Sequence, residues 1–161
     1  MTIESTIETT IDATTDTRDI WFAGTFMRLL ATADDTSGQL AVMEQRARKG
    51  FSPPRHVHHA EDTAMVVLEG RITAEVGDGQ HAVGPGELVW LPRDVPHTFR
   101  VDSDEVHLLE LATPAGIEQF HVDAGDPAAT AQIPPPGEPD VARMLAAASG
   151  YDTEVVGPPL A

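Results

Sequence analysis

The sequence predicts an all-β domain, folded as an antiparallel sandwich or barrel. Three observations lead there. Apolar runs of strand length recur from Ile20 onward, turn residues separate them, and no helix-period pattern intervenes until the chain is two-thirds complete.

The elements follow in order. Residues 1–19 are rich in Thr and acidic side chains and read as a mobile tail, although Ile3, Ile7 and Ile11 recur every fourth residue. From Ile20 the segments IWFAGTFMRLLATA, QLAVMEQRA, TAMVVLEG, RITAEV, ELVWLP, HTFRV and EVHLLELAT read as strands. The breaks between them are turn chemistry: Asp35-Thr36-Ser37-Gly38, Gly77-Asp78-Gly79, Gly84-Pro85-Gly86 and Asp102-Ser103-Asp104. Residues 20–113 therefore form the barrel. Residues 114–161 form an appendage, in which Ile117 to Val122 fits a short helix or strand. Pro134-Pro135-Pro136-Gly137 is a stiff linker. Beyond it, Asp140 can cap a helix near 140–149 carrying Val141, Met144 and Leu145 on one face and stopping at Gly150. That face calls for a cover, either the outside of the barrel or a second subunit.

Composition narrows the function. A chain of 161 residues is long enough for one domain with its own core. It has no cysteine, which excludes disulfides, thiolate metal sites and cysteine nucleophiles. Ten basic residues against 26 acidic ones give a formal charge of −16, which argues against nucleic acid or an anionic membrane as partner. No apolar run has the length of a membrane span and no signal-peptide pattern opens the chain, so the expected location is the cytoplasm.

The histidines carry the chemistry. His56 and His58 alternate across Val57, so an extended strand points both imidazoles to one side. His97 follows a Pro-rich turn and opens another strand, which a barrel can bring alongside the first pair. Pro53, Pro54 and Pro96 stiffen the turns that carry these residues. The expected metal ligands are therefore His56, His58 and His97. His59 points away from them, His81 sits by an exposed hairpin, and His121 falls on the appendage surface. His107 is the candidate acid/base group if it lines the interior, against a plain sheet-face position. Thr63, Met65 and Val67 on one strand, with Phe99 and Val101 on another, are expected to line a substrate pocket. Met27, Met43 and Trp90 are further candidates.

At this point the residues match a family. Gly50, His56-x-His58 and Gly70 resemble the first motif of the cupins, and Gly86-x5-Pro92 with His97 resembles the second. SPPRHVHHAEDTAMVVLEG, TPAGIEQF and the closing YDTEVVGPP are similar to segments of quercetin-dioxygenase-like single-domain cupins, so the likeness covers most of the stretch from Trp21 to Pro159. It implies a jelly-roll-like antiparallel β-barrel. It also implies a divalent transition metal (Fe, Ni, Zn, Cu or Mn), a small-molecule substrate and a homodimer.

Three positions depart from the family pattern: Thr63 stands for a metal-binding Glu, Asp94 for a Gly and Val101 for an Asn. In the flavonol-cleaving relatives that Glu is understood to bind metal and take the substrate's proton. A threonine hydroxyl does neither near neutral pH. A neutral three-histidine set leaves a divalent ion its full charge, suited to chelating enolates, diketones and phenol-carbonyl pairs. The expected activity is a dioxygenase acting on an aromatic, flavonol-like or diketone-like metabolite. The alternatives are a polyketide cyclase or isomerase using a redox-silent ion, and a non-catalytic binding cupin.

Overall fold

The structure is a computed structural model and describes residues 10–11 and 18–161. The Ile3 and Ile7 periodicity of the tail lies outside the described residues. Two antiparallel sheets face each other. The larger runs β11-β1-β2-β3-β10-β5-β8 and the smaller β12-β4-β9-β6-β7. In chain order the strands of the barrel are β1 (Asp19–Phe22), β2 (Thr25–Ala31), β3 (Ala41–Arg48), β4 (Pro54–His58) and β5 (Asp62–Glu69). They continue with β6 (Ile72–Val76), β7 (Gly79–Val83), β8 (Leu88–Leu91), β9 (His97–Val101) and β10 (Glu105–Thr113). Helix α1 (Ala33–Thr36) separates β2 from β3, and α2 (Ile117–Ala124) follows β10. The chain closes with β11 (Asp126–Pro127), α3 (Val141–Ala148) and β12 (Thr153–Pro159).

Local differences from the sequence reading have local causes. The segment from Ile20 to Ala33 is not one strand. Ala23 and Gly24 both take positive φ (50° and 81°), the conformation of a tight two-residue hairpin, and the chain doubles back as β1 and β2. The turn expected at 35–38 is the end of a single helical turn, Ala33–Thr36, where Asp35 and Thr32 form a reciprocal capping box. The last segment, expected only as a signature, adds a strand to the sheet edge: β12 pairs with β4 and brings Val155 opposite His56.

Alternation fixes which face each strand buries. On β3 the buried residues are Ala41, Met43, Gln45 and Ala47; on β10 Val106, Leu108 and Ala112 are buried, with Glu110 in the same phase. Two apolar clusters result. One closes one end of the barrel with Met65, Val67, Ile72, Val101, Val106 and Leu108. The other packs Ile20, Met27, Leu29 and Met43 against Ile117 of α2. Between them the interior stays open.

Two motif positions have a direct physical reason. Gly70 has φ 86°, and a Cβ there would lie 2.4 Å from the Glu105 carbonyl oxygen, so only glycine fits. Asp94, standing where the family has glycine, itself adopts a positive φ of 64°, its N–H donating to the His58 carbonyl at 2.8 Å. No helix of the described residues is long and apolar enough to cross a membrane.

Candidate metal centre

Strand pairing brings the three histidines together. His56 on β4 is the register partner of His97 on β9, and His58 lies two residues along β4 on the same face. Their ligating atoms all lie within 4.8 Å of one another. The ring centroids are separated by 4.5 Å (His56–His97), 4.9 Å (His56–His58) and 5.2 Å (His58–His97).

The backbone decides which nitrogen each ring presents. His56 Nδ1–H donates to the Pro54 carbonyl at 2.7 Å, and His97 Nδ1–H donates to the Val95 carbonyl at 3.0 Å. A carbonyl can only accept, so both rings carry the proton on Nδ1 and offer the Nε2 lone pair. His58 Nδ1 lies 2.8 Å from Glu61 Oε1 and 3.1 Å from the Thr153 hydroxyl. The Glu61 contact is short but poorly aligned, which leaves Oε1 without a hydrogen bond of its own. None of the three Nε2 atoms has a hydrogen-bond partner among the described residues. Three pre-oriented, unpartnered imidazole nitrogens held by outer carbonyls and a carboxylate are the donor set of a divalent transition ion. These residues fit the metal that the sequence implied.

Electrostatics favour the ligating form. Burial, reinforced by His97 and His58, pushes the His56 imidazole down to about 3. Burial likewise pushes His97 down to about 4, against the opposing pull of its bond to the Val95 carbonyl. Both rings are thus neutral at physiological pH, as metal binding requires.

The triad opens into a cavity of about 590 Å³. Phe22, Phe51, Met65, Leu91, Phe99 and Phe120 give it an apolar wall, with Thr63, Gln45, Glu110 and His121 as polar points. Helix α3 covers the mouth with Val141, Met144, Leu145 and Ala148, one face of the helix. The cover expected for that face is therefore the cavity mouth itself.

The remaining predicted residues divide. Thr63, Met65 and Phe99 line the cavity. Val67 and Val101 are displaced into the closed apolar end, because they lie further along β5 and β9 than the open interior extends; both are fully buried there. Met27 and Met43 belong to the second apolar cluster, and Trp90 is half-exposed on the outer face of β8. The acid/base role expected of His107 is corrected. Its inward neighbours are Val106 and Leu108, so it faces outward, with Nε2 2.9 Å from Glu44. His121 is corrected too: it is 7% exposed, packs edge-on against Phe22 at 4.8 Å and lines the cavity. His59 faces away, as expected, with Nδ1 2.6 Å from Asp94.

Polar residues of the site that the sequence reading did not place there include Glu61, His121 and Glu110. Glu61 sits in an irregular turn, where alternation assigns no side. His121 lies on a short helix whose docking the sequence does not specify. Glu110 was detectable: it occupies the inward phase of EVHLLELAT, a charge among core positions.

Comparison with known proteins agrees with this geometry. Residues 43–112 match the family described as Cupin domain. Over those residues, somewhat less than half of the chain, the sequence resembles a cupin domain. The chain is 27% identical over 100 residues to quercetin 2,3-dioxygenase of Bacillus subtilis (strain 168); that match takes in 62% of this chain and 30% of the relative. Among solved structures, a single-site variant of oxalate decarboxylase from Bacillus subtilis superposes with a TM-score of 0.60 at 20% identity, covering 68% of this chain and 30% of that one. KdgF from Halomonas sp. superposes with a TM-score of 0.54 at 17% identity, covering 60% of this chain and 84% of that one. At these identities the structural likenesses show the cupin fold alone.

Proposed function

We propose that this cupin is a metal-dependent dioxygenase acting on an aromatic, flavonol-like or diketone-like metabolite. The observation that carries the reading is the convergence of three free Nε2 atoms on the floor of an apolar 590 Å³ cavity. His56, His58 and His97 would hold the ion, which when bound supplies Lewis-acid charge and, if iron, a site for oxygen chemistry. The protein's own residues do the rest. Phe51, Phe99 and Phe120 bury the substrate's rings, Met65 and Leu91 fill the gaps, and α3 excludes water at the mouth. A chelating oxygen pair fits this setting better than a charged sugar or amino acid, since among the described residues no Arg or Lys lines the cavity. The distant likeness to a quercetin dioxygenase supports the choice of oxygen chemistry over cyclisation.

The test begins with metal. After supplementation the purified protein is expected to hold about one equivalent of divalent ion, lost in His56→Ala and His97→Ala. Less than about a tenth of an equivalent would overturn the reading. The iron-loaded protein is then expected to consume oxygen with flavonols or 1,3-diketones. Metal-dependent conversion of a diketone without oxygen uptake would replace dioxygenase with cyclase.

A further inference from the structure

A chelating enol or phenol must lose a proton as it binds, and the residue at the usual position for accepting it, Thr63, cannot do so. Most other titratable groups of the cavity are engaged. Glu61 is held against His58 Nδ1, and the Nδ1 protons of His56 and His97 are committed to carbonyls. His121 Nδ1 is buried without a partner among the described residues, but burial pushes the imidazole down to about 3, which makes it a weak acceptor.

Glu110 remains. It points inward on β10, opposite Met65 of β5, and its carboxylate lines the cavity. Thr63 pairs with Ala112, so Glu110 is the diagonal neighbour of Thr63 on the same inner face. Among the described residues the Glu110 carboxylate has no hydrogen bond and no ion pair, although its backbone is held in the sheet between β3 and β5. A carboxylate without a partner in the wall of an apolar cavity is costly to keep, and its placement is not explained by packing. It lies near His58 and Glu61, yet it stands outside the cluster of ligating atoms. That is the place of a group beside the ion rather than on it.

Resting on the metal-chelate reading above, we propose that Glu110 accepts the acidic proton of the chelating substrate, the function displaced from residue 63 to the adjacent strand. The enol O–H bond breaks, its electron pair stays on the substrate oxygen, and the proton forms an O–H bond with a Glu110 carboxylate oxygen. No electron changes hands, so no oxidant is consumed in this step. Burial raises the Glu110 pKa, which favours retention of the proton.

The experiment uses zinc-loaded protein, which cannot turn over oxygen, and 3-hydroxyflavone as the probe. Binding is followed by absorbance, since the anion absorbs at longer wavelength than the neutral flavonol. Calorimetry in two buffers of different ionisation heat counts the protons released. Wild-type protein is expected to bind the anion and release less than about half a proton. Glu110→Gln is expected to retain its zinc, release about one full proton to the buffer and bind about tenfold more weakly near pH 6. Glu110→Asp should restore proton retention in part. Equal proton counts and affinities within about twofold for wild type and Glu110→Gln would overturn the assignment. Loss of zinc from Glu110→Gln would overturn it as well, by making Glu110 a ligand. Failure of the zinc-loaded wild type to bind the flavonol would instead overturn the chelate reading beneath it.

Discussion

Thr63 is 1% exposed and faces the cavity from the inner side of β5, so the position is built for a ligand but filled with a hydroxyl. A carboxylate placed there gains a charge-assisted bond to the ion. Thr63→Glu is accordingly expected to tighten metal binding about tenfold or more in a chelator competition. It should also lower the melting temperature of the metal-free protein, where the new charge is buried without its partner. Unchanged metal affinity would mean that residue 63 does not reach the ion. Glu61 acts one step out, through His58. Glu61→Gln keeps the shape but removes the negative charge 2.8 Å from His58 Nδ1, and it should weaken metal binding about 10- to 100-fold. An affinity within about twofold of wild type would reduce Glu61 to a packing role. The triad was legible in the sequence because His-x-His on a strand fixes two rings on one side and a distant strand supplies the third. Glu61 was not, since its turn has no period to read. His107 misled because the segment around it is apolar on both sides, and only its register opposite Arg46, with Glu44 as the diagonal neighbour it touches, settles its face.

Helix α3 shows what a single element adds. Asp140 caps it, accepting from the Arg143 N–H at 3.0 Å, as the sequence indicated. Its anchor was not foreseeable, because it joins residues far apart in the chain. Arg143 reaches the Gly125 carbonyl at 2.5 Å, the Asp126 carboxylate at 2.9 Å and the Asp123 carbonyl at 3.1 Å. Asp123 also accepts from the Tyr151 hydroxyl just beyond the helix. The apolar face that α3 turns to the cavity is incompletely covered, with Val141 54% and Leu145 50% exposed. An occupant of the cavity would supply apolar contacts that this half-exposed face lacks. Arg143→Ala is expected to speed amide exchange across residues 141–148. It should weaken flavonol binding about three- to tenfold while leaving metal content unchanged. Unaltered exchange would show that apolar contact alone seats the helix.

At the scale of the molecule, the fold was legible because alternation and turn chemistry agree along the whole barrel. The open interior was not, because no single strand records where its partners stop filling the space. That interior makes the metal-free protein sensitive to acid. His56, His97 and His121 are held neutral, with folded-state values of about 3, 4 and 3 against 6.5 for an exposed imidazole. Their folded values are depressed, so the unfolded chain takes up protons first as pH falls. Stability is complete above 6.5 and declines from there toward pH 4. Each ring costs about 1.4 kcal/mol per pH unit in that window, so three rings cost about 6 kcal/mol by pH 5, comparable to the whole stability of a typical domain. Two effects oppose this. Glu110, raised by burial, favours the folded state as pH falls toward its unfolded value, and acid also relieves repulsion within a surface of net charge −16. The first is a single group, and the second is spread over exposed, screened charges, so the histidines prevail. The chelator-treated protein is therefore expected to melt at steadily lower temperature between pH 6.5 and 5. His121→Gln, which touches no ligand nitrogen, should remove about one proton from the slope of stability against pH. A flat profile, or a His121→Gln slope equal to wild type, would show that these rings are hydrated and free to protonate in the folded chain.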